Sequence, residues 1–171
     1  MENKILQNIK ELQNTITIAS LNYEIWWIYK EKESRKQFVN TMNHYKLFFK
    51  TSLHAHFVAM IIALYKLFET RKDTVNIPQL IKLFKKEGNF PPLEFQKLES
   101  EIKRIKPLWI KVSILRNSFF GHRSTLFDNQ DIRECTSVTP NEFKTLIEGV
   151  KRILNDMSSI WNKRSHVFKL S

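Results

Sequence analysis

A chain of 171 residues with one cysteine, three glycines and five prolines lacks the thiols for a disulfide framework or a cysteine zinc site. It also lacks the turn residues that many short strands and tight hairpins require. Its 28 Lys and Arg against 17 Asp and Glu give a net charge of +11, which favours an anionic partner, with solvated helix surfaces as the alternative.

That length buries a core without metal or disulfide staples, as one domain over residues 1–171. The lone thiol, Cys135, suits a reducing, cytoplasmic setting. The N-terminal MENKILQNIKELQN has no continuous apolar signal core. The longest apolar run, FVAMIIALY from Phe57 to Tyr65, falls short of the roughly 20 residues of a membrane span and reads as buried helix. No membrane contact is expected.

In chain order, Ile5, Ile9, Leu12, Ile16, Tyr23 and Trp26 or Trp27 recur at helical spacing and predict a first helix over 4–30, followed by a turn at KEKESRK. Phe38, Met42, Tyr45, Phe49, Leu53, His56, Met60 and Leu67 continue in steps of three and four and predict one long central helix over about 33–68. IPQLIKLFKKE, with Pro78 near its start and Gly88 after its end, predicts a short capped helix. NFPP then breaks the chain.

From Leu93 a stripe of Leu98, Ile102, Ile105, Trp109, Val112, Arg116 and Phe119 predicts a second long helix, kinked at Pro107 because the apolar phase survives that residue. TLFDNQDIRECTSV has no period and reads as a functional loop or lid. TPNE then predicts a capping box, with Thr139 as N-cap, Pro140 as first helical residue and Glu142 as reciprocal partner of the last helix. The expected fold is all-α, a single bundle of four or five helices with two long central members.

One position breaks the pattern. In the stripe from 98 to 119 every residue is apolar except Arg116, which must be paired, snorkel to water or face an anion. Pairing with a core acid such as Glu24 or Glu69 is the purely structural alternative. His122 follows six residues later, about 9 Å along and about 120° around an ideal helix. Convergence of the two therefore requires a helix end loosened at Gly121, or two copies of the motif facing each other.

Phosphodiester cleavage by the RNA's own 2′-OH needs an acid/base near neutral pKa and a cation for the developing charge, and His122 and Arg116 supply those types. Asn117 holds the imidazole or the ribose in place by hydrogen bonding. DNA has no 2′-OH, so such chemistry selects RNA. The spacing by itself is uninformative, since this composition yields about 0.7 such Arg-to-His pairs by chance. The context carries the signal: an Arg-Asn pair in an apolar stripe, closing a long helix at a scarce Gly.

The run LRNSFFGHRS, Leu115 to Ser124, resembles the Arg, polar residue, spacer, His signature of HEPN-domain proteins, and its flanks FFGHRS are similar to the AbiU-like abortive infection group. The five-residue spacer lies within the range that family tolerates. The resemblance implies a HEPN-like helical domain and a metal-independent endoribonuclease without cofactor. It further implies a toxin in a toxin-antitoxin or phage defence system, with RNA as substrate, a homodimer with a composite cleft and a cognate antitoxin. Arg116, Asn117 and His122 match the motif positions. Ser124 stands where related toxins often carry a modifiable Tyr, which argues against that form of control. A non-catalytic HEPN-like module binding RNA, a nucleotide or a protein is the alternative.

Secondary candidates for RNA contact are Arg123 and Ser124 beside the motif, and Lys103, Arg104 and Lys111 on the polar side of its helix. No metal site is expected: His54 and His56 lie about 200° apart on a helix. His56 falls in an apolar stripe and should donate to a nearby acceptor. Trp26, Trp27, Trp109 and Trp161 read as core rather than as base-stacking platforms.

Overall fold

The computed structural model describes residues 2–87, 91–120 and 138–162. Six helices account for nearly all of them: α1 (Glu2–Ile28), α2 (Lys32–His44), α3 (Lys46–Lys66), α4 (Ile77–Glu87), α5 (Pro92–Phe120) and α6 (Pro140–Asn162). The described residues contain no strand, so the all-α expectation holds.

The apolar stripes explain the packing. Ile5, Ile9, Leu12, Ile16 and Ala19 bury one side of α1 almost completely, against α3, α4 and α6. α5 packs on α3 and α6 through Leu98, Ile105 and Val112, the first, third and fifth positions of the predicted stripe. α6 contributes Phe143, Leu146, Ile147, Val150, Ile153, Leu154 and Met157 to the same cluster. Each fully buried aliphatic side chain stabilises the fold by about 1.5–3 kcal/mol relative to exposure.

Local signals start α6 and α4 where the sequence places them. The Thr139 amide donates to Glu142 Oε2 at 2.7 Å and the Glu142 amide to Thr139 Oγ1 at 3.2 Å, so the capping box forms reciprocally. Asn76 precedes α4 and accepts from the Gln79 amide at 2.9 Å. α5 runs through Pro107 as one continuous helix, with the proline on its exposed side. Between α5 and α6 the approach is close: a Cβ added to Gly149 would stand 2.5 Å from Ile105 Cγ2.

The central helix expected over 33–68 is two helices, which raises the count among the described residues to six. Tyr45, at φ −111° and ψ 47°, separates α2 from α3. Ring packing accounts for the bend. Phe38 and Phe49 both pack on Tyr29, at centroid distances of 5.2 and 5.3 Å, so their ring centroids stand no more than about 10.5 Å apart. On a straight helix residues 11 apart are about 16 Å apart along the axis. Apolar spacing is blind to this elbow, because its phase continues across Tyr45. The N-cap of α2 is Glu31, which accepts from the Glu33 and Ser34 amides and has its pKa lowered to about 2, chiefly by those two bonds.

Candidate functional site

Arg116 reaches the end of α5 on the stripe that Leu98, Ile105 and Val112 bury, and it is only half-buried there. Its guanidinium carbon stands 4.7 Å from the centroid of the Tyr65 ring on α3. Tyr65 stacks in turn on Trp109, at 6.2 Å and 22°, and the indole N–H of Trp109 donates to the Tyr65 carbonyl at 3.2 Å. A cation thus occupies an apolar stripe by lying over an aromatic face, an arrangement worth about 0.5–2 kcal/mol.

The guanidinium also donates to the Asn117 side-chain oxygen at 3.0 Å. That bond fixes the Arg116 head and leaves the Asn117 amide nitrogen as a donor toward solvent. Among the described residues no carboxylate lies within ion-pair distance of Arg116. Pairing with Glu24 or Glu69, the structural alternative from sequence, is therefore replaced by Tyr65. Chemically, Arg116 is a positioned cation with its charge not neutralised by a described acid, beside a neutral amide donor.

Of the other candidates, His122, Arg123 and Ser124 lie outside the described residues, as do Gly121 and Cys135. Lys103 is exposed on α5. Arg104 forms a two-pronged bond to Glu101, at 2.8 and 2.6 Å, and Arg152 of α6 joins the same carboxylate. Arg104 and then Arg152 hold the Glu101 pKa down to about 2. Lys111 pairs with the capping residue Glu142, whose pKa it lowers. Arg104 and Lys111 therefore tie α5 to α6 or to itself, while Lys103 meets no carboxylate among the described residues.

Tyr65 was not singled out by the sequence. Its signal is faint: an aromatic beside Lys66, one position off the apolar phase of α3. His56 meets its expected acceptor, with Nδ1 2.8 Å from Asn22 Oδ1. Trp26, Trp27, Trp109 and Trp161 all pack against the core cluster. Among the described residues no group of His, Cys, Asp and Glu is arranged to hold a metal.

A cavity of about 450 Å³ lies elsewhere, between α1, the start of α2 and α6. Tyr23, Trp27, Glu24, Glu31, Lys144 and Glu148 are among the residues that line it. Three carboxylates against one lysine make it a poor host for a phosphate, and no α5 residue reaches it.

No curated protein and no solved structure matches the chain. Its sequence does match the AbiU2 family, HEPN_AbiU2, over residues 2–170. With Arg116 and Asn117 placed on the late long helix of an all-α bundle, and the match running nearly end to end, the chain belongs to the AbiU2 family of HEPN-domain proteins.

Proposed function

We propose that the protein is a metal-independent endoribonuclease that cleaves RNA by 2′-OH transesterification and acts as a toxin in phage defence or a toxin-antitoxin pair. The observation that carries the reading is Arg116, an arginine in a buried stripe held over Tyr65 and bonded to Asn117, with no described carboxylate to neutralise it. Family membership supports the same assignment.

In this mechanism His122 takes the proton from the 2′-OH, and the freed oxygen attacks the adjacent phosphorus. Charge builds on the nonbridging oxygens, where Arg116 stabilises it. The P–O5′ bond breaks, the 5′ oxygen leaves with a proton from an imidazolium, and a 2′,3′-cyclic phosphate remains. Asn117 keeps the guanidinium aimed. A second copy of the chain facing the first supplies a second Arg116 and His122 to one cleft, so that one imidazole accepts and the other donates.

The test incubates pure protein with RNA in EDTA and identifies the 3′ ends. Cleavage to 2′,3′-cyclic phosphate is expected, with His122→Ala slowing it at least about 100-fold and leaving thermal unfolding unchanged. Wild-type cleavage by that variant overturns the assignment. Tight RNA binding without products favours a non-catalytic binding module.

A further inference from the structure

The α2–α3 elbow is unlike the rest of the molecule in two independent ways. Three of its apolar side chains point outward: Leu47 is 79% exposed, Phe48 66% and Tyr45 57%, whereas large hydrophobics elsewhere among the described residues are mostly buried. α2 buries no residue at all, and α3 buries only Met60, Ile61, Ala63 and Leu64, near its far end. The second feature is charge. Between Glu33 and Glu69 the chain contains no acid, while Lys46 and Lys50 share the first turns of α3 with Leu47 and Phe48. Neither lysine meets a carboxylate among the described residues.

Exposed Leu and Phe beside lysines free of such partners suit a surface with an apolar interior and an anionic rim. A nucleic acid would use the lysines and stack on Phe48 or Tyr45, but it has no counterpart for Leu47, the most exposed of the three. We infer that the elbow is a docking surface for anionic phospholipid, in which Leu47 and Phe48 enter the acyl boundary while Lys46 and Lys50 meet the headgroups.

The contact lies on the bilayer and does not cross it. By length and composition α3 is apolar enough to span, and only 22% of its most apolar 18-residue window is buried. Spanning, however, would pull Met60, Ile61, Ala63 and Leu64 out of the core. The elbow alone enters at no cost to that core. This departs from the expectation of no membrane contact, which weighed the run from Phe57 to Tyr65 and not the exposed turn before it.

Flotation of the full chain with vesicles tests the inference. The protein should float with vesicles of equal parts phosphatidylcholine and phosphatidylglycerol, remain behind with phosphatidylcholine alone, and be released by about 0.5 M salt. Lys46→Gln with Lys50→Gln should weaken partitioning about 25-fold, roughly fivefold for each lysine. Leu47→Glu with Phe48→Glu should abolish it without changing the circular dichroism or thermal unfolding, since both side chains are exposed. Absence of wild-type flotation, or undiminished flotation of the Leu47→Glu/Phe48→Glu protein, overturns the inference. If that variant instead loses RNA binding, or turns a dimer into a monomer, while no form floats, the occupant is RNA or a second copy and the lipid assignment falls.

Discussion

α6 and α2 show how differently one chain spends its apolar residues. α6 buries nine residues between α1 and α5, and its start is closed by a capping box that also anchors Lys111. α2 buries none and is held mainly by rings, Phe38 on Tyr29 and Tyr29 on Phe49. Fold stability therefore resides in the side of the bundle where α1, α4, α5, α6 and the far end of α3 meet. The elbow is free to meet something else, because little of the core depends on it.

Matched truncations are the strongest way to break that contrast. Leu154→Ala, at a fully buried position, should destabilise by about 2–5 kcal/mol in urea unfolding. Phe38→Ala, losing its ring contact with Tyr29 at a half-buried position, should cost about 1 kcal/mol. Equal losses would mean that α2 belongs to the core after all.

A second measurement asks which side of the divide Arg116 serves. Tyr65→Ala removes the ring beneath the guanidinium and should cost about 0.5–2 kcal/mol in stability. On the proposed function it also lowers RNA cleavage, and Tyr65→Phe retains both because the π face persists. Cleavage that ignores Tyr65→Ala would separate the stacking from the chemistry.

The smallest effect is a pH dependence at Glu101, on the core side. Arg104 and Arg152 hold the Glu101 pKa at about 2, below its ordinary value of 4.5. A depressed carboxylate contributes stability above its unfolded pKa and loses it as pH falls through the folded value. Wild-type stability should thus decline between about pH 4.5 and 2, and Glu101→Gln should lack that part, about 1 kcal/mol after solvent screening of two half-exposed arginines. An unchanged profile would remove Glu101 from the account.

Helix identity was legible in the sequence wherever an apolar stripe met a start or stop signal, as at Thr139–Glu142 and at Pro78. The elbow at Tyr45 was not legible, since no Gly or Pro marks it and the stripe keeps its phase. At the site, Arg116 and Asn117 stood out as a local anomaly. Tyr65 did not, because an arginine over a ring 51 positions earlier in the chain is a tertiary fact that no spacing records. Lys111 illustrates the converse error in reading charge. It looked like an open cation on a polar face, yet Glu142 of the next helix takes it.

The closeness of α5 and α6 at Gly149 bears on how variation in this family should be read. Residues 105 and 149 share one volume, since the missing Cβ of one is where the Cγ2 of the other sits. A larger residue at 149 is therefore an overpacking change beside Ile105 and an ordinary one beside a smaller partner. Substitutions there are legible only as pairs, so a score assigned to either position by itself misstates both.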